Sequence, residues 1–350
     1  MSELSDYLPQ RINEGPFVTS YSLPVLQDKL GQQPWRLPIC SLSTPTRALA
    51  ELGPLVLPPL YREALDPALQ EALLERIKAC FPCFEGTRQR TQVPDQLEIV
   101  ELPAGPAEAV QEGQVIAFSV DTAVEEHGPH LPLATDTIQS YGVLDRLARE
   151  MPDLQLVRPV DYGHLTWGLP FGMSVDITPS LLTRYVTGFA NAIQQWLQPR
   201  ALYVVDVHGS IVHREAIQEG LRQSECQDYC FRWLHEPLVE FAGDRGDQHA
   251  GGVETVLVNH FNPALVDSQW WPARIDELVV GQIDLATALE LSGDVADFIA
   301  YVEAAEQREQ ACNGIVGVIE NARQLDAALL LQRMLDVARE DLQSLGATPG

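Results

Sequence analysis

The sequence predicts an α/β protein whose mainly parallel sheet is covered by helices on both faces. Two observations carry this. From about residue 98 onward, short apolar runs alternate with stretches of helical periodicity, the order that builds βαβ units. The runs Val-Ile-Ala-Phe-Ser-Val at 115–120 and Leu-Tyr-Val-Val-Asp-Val at 202–207 are also nearly continuous in apolar residues. Strands buried on both faces read that way, whereas half-exposed strands alternate.

The elements follow in order. Residues 61–79 form one helix in the N-terminal part, with Leu65, Leu69, Leu73, Leu74 and Ile77 near helical spacing. Residues 114–120 are a strand. Residues 137–151 are a helix with Ile138, Tyr141, Leu144, Leu147 and Met151 on one face. A short strand at 154–158 and a helix at 179–197 come next. A second buried strand spans 201–207, followed by a helix at 213–224, a strand at 229–234 and a helix at 253–260. A long amphipathic helix at 321–345 closes the chain.

Residues 1–97 differ from the rest. They hold 12 of the 25 prolines, and their 11 acids nearly balance 9 bases, although the whole chain carries a net charge of −26. Such a stretch reads as an extension or arm lying across a surface, so the chain divides into an arm, 1–97, and a main domain, 98–350. At 350 residues it is long enough to bury a large core. The strong acidity argues against nucleic acid or an anionic membrane as partner. No apolar run approaches 18 residues, and the first residues, Met1-Ser2-Glu3-Leu4-Ser5-Asp6, lack the basic and apolar regions of a signal peptide. A cytoplasmic protein with reduced cysteines is expected. Cys80-Phe81-Pro82-Cys83 is a C-x-x-C pair without a second one to complete a zinc site.

The chemistry concentrates in residues 125–136, Glu125-Glu126-His127-Gly128-Pro129-His130-Leu131-Pro132-Leu133-Ala134-Thr135-Asp136. Carboxylate oxygen and imidazole nitrogen together are a ligand set for a divalent first-row metal. The motif leaves a buried strand, the place where open α/β sheets put their sites. All eight histidines lie between 127 and 260. Glu125 and His127, two apart, face one side if strand geometry persists. Asp136 opens the next helix, as a ligand or as a helix cap. His208 ends the second buried strand and precedes Gly209-Ser210. A third cluster, His249-Ala250-Gly251-Gly252-Val253-Glu254-Thr255, sets a histidine in a glycine-rich turn and a glutamate in the first turn of a helix. Glu254 is a ligand or a cap. Glu126 partners the ligands or is solvated. Trp167, Trp270 and Trp271 are pocket walls or core residues.

E-x-H-G-x-H-L-P-L-x-T-D, a strand ending in His-Gly, and H-x-G-x-x-E-T together resemble the creatininase family of metal-dependent amidohydrolases. The resemblance spans about residues 98–345. It implies a three-layer α/β/α sandwich, two divalent ions (zinc, manganese or iron), and frequent assembly into homo-oligomers, often hexamers. It also implies roles. Glu125 and His208 resemble ligands of one metal, His127 a ligand of the other, and Asp136 the bridge between them. His249 resembles the proton-transfer histidine, and Glu254 a glutamate near the second metal. Two departures stand out. Many members continue the second strand as N-G-H-G-G-N, and some carry a metal-binding glutamate where Ser210 stands; here the chain reads Asp206-Val207-His208-Gly209-Ser210-Ile211. Glu254 therefore has to complete the second site. The loop resembling S-x-x-H-x-x-F-P-G-T lacks its histidine in residues 165–174, which argues against creatinine itself. The expected function is hydrolysis of a C–N amide bond in a small, cyclic or formamide substrate through a metal-activated water. The alternatives are a peptidase trimming a peptide terminus within a biosynthetic pathway, and a metal-binding homologue without catalysis.

Overall fold

The computed structural model describes residues 57–58, 60–81, 85–86, 89–90, 99–100, 113–243, 247, 249–292, 295–307, 312–348 and 350. Four parallel strands form the central sheet: β1 (Val115–Ser119), β2 (Leu154–Leu156), β3 (Ala201–Asp206) and β4 (Tyr229–Trp233). Their spatial order is β2-β1-β3-β4. Val115 pairs with Leu154 on one side and with Ala201 on the other. The order reverses between β1 and β3. The loops leaving those two strands diverge to opposite faces there and open a crevice at the strands' C-terminal ends.

Right-handed crossovers decide the layers. The connection from β1 to β2 carries α2 (Thr135–Glu150), after α1 (Pro67–Ala79) in the N-terminal part. The next two connections run the other way across the sheet and carry α3 (Pro179–Leu197) and α4 (Ile211–Gln223). These two pack against each other on the second face, whereas α2 packs with α5 (Gly252–Phe261) and the closing helix on the first. The result is a three-layer α/β/α fold. β1 and β3 are buried along their whole length, which explains their unbroken apolar sequences.

The long C-terminal helix is shorter than its sequence pattern. A 3-10 turn (Ile319–Arg323) precedes it, and Asp326 caps the true start by accepting from Ala328 and Leu329 N–H. Three helices were not evident from periodicity: α6 (Ile275–Gly281), α7 (Leu285–Leu291) and α8 (Val295–Gln307), before α9 (Ala327–Ser344). α6 and α7 are two turns each, too short for a periodic signal. α7 and α8 pack with Phe171, Ile283 and Val316 into a small second core. No helix among the described residues is long and apolar enough to cross a membrane.

α1 is smaller than the expected 61–79 helix because Asp66 caps it, accepting from Leu69 N–H at 2.8 Å, with Pro67 in the first turn. It buries Leu69, Leu73 and Ile77 in the main core, about 1.5–3 kcal/mol each. Tyr61 and Leu60 lie in the same core. Residues 62–64 come so close to α3 that a Cβ on Gly188 would fall 2.0 Å from the Ala64 carbonyl oxygen. Only glycine permits that approach. The whole proline-rich stretch before residue 57, and Cys83 of the C-x-x-C pair, lie outside the described residues.

Candidate metal centre

The strand geometry expected to carry Glu125 and His127 stops early. β1 ends at Ser119, and the chain then runs as a loop whose Glu125 N–H donates to the Leu133 carbonyl at 3.3 Å. Gly128, at φ 68°, turns this loop; a Cβ there would press on His130 and Ile315. Both side chains still point into the crevice, set there by the loop's own closure.

Asp136 is the second residue of α2 and makes no capping hydrogen bond. Its carboxylate turns instead to the crevice, where the Thr122 hydroxyl lies 2.5 Å from Asp136 Oδ2 and 2.5 Å from Glu125 Oε2, sharing its proton between them. His208 follows β3 and places Nδ1 3.0 Å from Glu125 Oε2 and 3.6 Å from Asp136 Oδ2. His127 Nε2 lies 3.3 Å from Asp136 Oδ1 and 3.8 Å from Glu254 Oε2. His249 Nδ1 lies 3.7 Å from Glu125 Oε1, and its ring stacks against His127 at 4.3 Å. Three separated segments thus bring all six predicted side chains together. Their donor atoms form three overlapping groups: Glu125–Asp136–His208, His127–Asp136–Glu254 and Glu125–His127–His249. Asp136 belongs to the first two, the position of a bridging ligand.

Each of the three imidazoles is oriented by a main-chain carbonyl. His127 Nδ1–H donates to Glu125 O at 3.0 Å, His208 Nε2–H to His164 O at 3.1 Å, and His249 Nε2–H to Glu126 O at 2.7 Å. A carbonyl only accepts, so those nitrogens carry the protons. The opposite nitrogen of every ring faces carboxylates, the tautomer a metal ligand needs.

The site is buried and acidic, and protons alone balance it poorly. Burial disfavours charge on His127, yet Asp136 and Glu254 lift it to about 10. His208 is likewise driven well above its ordinary value by Glu125 and Asp136 against burial. Burial works against Glu125 and Asp136 as anions, but the facing imidazoles hold both below the usual carboxylate range. Glu254 is pushed up to about 7 by burial, and His249 down to about 4 by burial and by His127. Even so, Glu125 Oε1, Asp136 Oδ1 and His127 Nε2 are buried with no hydrogen-bond partner. Orphaned anionic oxygens at zero exposure are costly, and a cation among them removes the cost. The donor set, N and O from His, Asp and Glu, suits zinc, manganese or iron.

Glu254 combines both expected roles. It accepts from Ala250 N–H at 2.6 Å at the start of α5 and also faces His127. The turn carrying His249 is not loose: His249 exchanges two backbone hydrogen bonds with Val316, at 3.0 and 2.9 Å. Ser210 directs nothing into the site and starts α4 without a side-chain cap. Glu126 is buried rather than solvated. His130 turns away and bonds Thr255. Trp270 and Trp271 pack on the main core, and Trp167, on the second core, donates to Ser292 Oγ at 2.6 Å.

Several supporting residues were not foreseen. Thr122 is one. Another set is a chain of contacts from the N-terminal helix: Arg76 pairs with Asp176, Asp176 accepts from His164 Nδ1–H and from Leu165 N–H, and the His164 carbonyl holds His208. Thr122 stands three residues before Glu125, close enough in sequence for its hydroxyl to be a local signal. Asp176 and Arg76 carry no motif.

Comparison with known proteins agrees with this geometry. The profile of the creatininase family (creatinine amidohydrolase) matches residues 104–340. Two mycofactocin precursor peptide peptidases are similar: that of Mycobacterium ulcerans (strain Agy99) is 27% identical over 52% of this chain and 65% of its own length. That of Mycobacterium tuberculosis (strain ATCC 25618 / H37Rv) is 30% identical over 43% and 60%. The chain thus spans less than two thirds of these relatives. Among solved structures, a glutamate-to-glutamine mutant creatininase complexed with creatine superposes with a TM-score of 0.50 at 16% identity, covering 67% of this chain and 93% of that one. A tryptophan-to-phenylalanine mutant creatininase, Type II, gives the same score and identity over 67% and 92%. The sandwich, the crevice at the strand ends and the family profile over most of the chain agree: this protein belongs to the creatininase family of metal-dependent hydrolases.

Proposed function

We propose that this protein is a metal-dependent peptidase that trims a peptide terminus within a biosynthetic pathway. The observation that carries the metal chemistry is the set of three imidazoles, each tied at one nitrogen to a main-chain carbonyl and aimed at buried carboxylates with the other. In this reading Glu125, Asp136 and His208 would hold one divalent ion, and His127, Asp136 and Glu254 would hold a second. Such ions supply the Lewis acidity that ionises water near neutral pH and polarises an amide carbonyl.

The chain's own residues do the rest. Thr122 fixes the carboxylates of Glu125 and Asp136 relative to each other. His249, neutral at its inward Nδ1, accepts the proton of the attacking water and returns it to the leaving amide nitrogen. Its ring cannot swing away, because Glu126 O and the pairing with Val316 hold it. Within the N-terminal arm, helix α1 supports the site through the pairing of Arg76 with Asp176.

Of the substrate classes expected from sequence, the peptide is better supported than a small cyclic amide, because the mycofactocin precursor peptide peptidases are 27% and 30% identical to this chain and the creatininases only 16%. The test is mass spectrometry of a pool of synthetic peptides incubated with metal-loaded protein. Shortened peptides that vanish in His249→Ala support the reading. Turnover of cyclic amides or formamides with every peptide intact overturns it.

A further inference from the structure

The helix that follows β3 opens with a cation that no carboxylate among the described residues meets. Arg214 lies in the first turn of α4, six residues after His208. Its guanidinium stacks on the Trp233 ring at 4.4 Å. Its Nε is buried and makes no hydrogen bond, and among the described residues no carboxylate pairs with it. This is unusual in a chain with 49 acids and 23 Lys and Arg. Arg232 on the neighbouring strand, by contrast, takes both Asp341 and Glu236.

The stack is a built feature. Trp233 is the last residue of β4, and its indole N–H donates to the Val207 carbonyl at 3.3 Å, one residue before His208. Gly209 lies against the same indole, where a Cβ would come within 2.5 Å of its nitrogen. Stacking fixes the guanidinium plane while leaving its edge open to a planar anion. On the same turn Ile211 and Val212 are 66% and 44% exposed, an apolar surface beside the cation. Arg214 is thereby linked to the site through the indole, which lies against Gly209, the residue next to His208.

We propose that Arg214, held by Trp233, anchors the free carboxylate at the C-terminus of a peptide substrate, with Ile211 and Val212 against its last side chains. The inference rests on the peptidase reading and names the end of the peptide that is recognised. A guanidinium takes a carboxylate by paired N–H···O bonds, which an uncharged terminal amide cannot reproduce.

The experiment reads binding, so that it does not depend on turnover. The probe is the tetrapeptide acetyl-Ala-Gly-Ala-Leu in three forms: free acid, carboxamide, and carboxamide with glutamate as the last residue. Each is titrated into metal-loaded protein while the indole N–H resonance of Trp233, assigned with Trp233→Phe, is followed by NMR. The expected result is saturable binding of the free acid at least tenfold tighter than either carboxamide. Arg214→Gln should erase that preference and Arg214→Lys should keep part of it, with metal content unchanged in both. Equal affinity for acid and amide, a preference that survives Arg214→Gln, or no binding of the free acid overturns the proposal. A preference for the glutamate-bearing carboxamide overturns the terminal assignment in favour of a side-chain carboxylate. If the free acid binds with the expected preference but no peptide is ever cleaved, the peptidase reading fails and the anchor stands.

Discussion

His127 and His130 sit three residues apart in one loop, are equally buried, and meet opposite surroundings. On the crevice side, His127 faces Asp136 and Glu254 and is lifted to about 10. On the back of the loop, His130 bonds the Thr255 hydroxyl at 2.8 Å and is pushed by burial and by His127 down to about 3, with no carboxylate among the described residues holding it up. Burial alone makes a histidine a neutral core residue. Buried carboxylates make the same residue a cation holder. The difference between the two sides of the loop lies in the company that α2, β3 and α5 deliver.

The strongest way to break that contrast is to remove the shared acid. Asp136→Asn keeps the size of the side chain and leaves both donor groups short of an anion. It should strip most of the metal and with it nearly all turnover, measured by elemental analysis beside activity. Retention of full metal would show that Asp136 is not a bridge.

Two substitutions separate ligand from proton carrier. Glu254→Gln should halve the metal content and abolish turnover, with a melting temperature no lower than that of metal-free wild type. His249→Ala should keep its metal while turnover drops by roughly 10²–10⁴. Equal loss of metal and rate in His249→Ala would make it a third ligand of the group it forms with Glu125 and His127.

A smaller effect is expected one step out. Thr122→Val removes the hydroxyl shared by Glu125 and Asp136 but leaves every ligand in place. Metal affinity should fall by about 10–100-fold, the usual range for losing a partner of a ligand. An unchanged affinity would show that the loop alone sets the two carboxylates.

The mildest test concerns the back of the loop. His130 has a folded-state pKa below its unfolded value of 6.5, so its contribution to stability is complete above pH 6.5 and is lost as pH falls toward about 3. In metal-free protein, His130→Gln should flatten the acid limb of stability against pH by about 1.4 kcal/mol per pH unit. His127→Gln should not. A matching change in both would erase the distinction between the two sides.

Much of this was legible in the sequence, for identifiable reasons. β1 and β3 announced themselves because strands buried on both faces need unbroken apolar runs. Glu125, His127 and Asp136 were readable because they fall close together in sequence, between 125 and 136, and His208 because it follows a strand and precedes a glycine. His249 and Glu254 were readable as a pattern but not as a place, since nothing local says that α5 crosses to the crevice. Asp176 and Arg76 were invisible. Their contact joins residues 100 positions apart and depends on α1 lying against the enzyme body. α6 to α8 were missed because two-turn helices, and a third helix anchored by Phe298 and Val302, leave too few buried positions for a period to show. The stiffness of the glycine-rich turn around His249 was hidden for a similar reason: it comes from Val316, 67 residues further on.

The central claim is that the crevice cluster exists to hold cations that now compete with protons on His127 and His208. Titration calorimetry of chelator-stripped protein with Mn²⁺ or Zn²⁺, repeated in buffers of different ionisation enthalpy, reads both parts at once. The account predicts saturable binding of about two ions per chain, with protons displaced from the imidazoles at pH 7 and affinity rising from pH 6 to 8 as proton competition weakens. Absence of saturable binding, or binding without proton release in wild type, would contradict it.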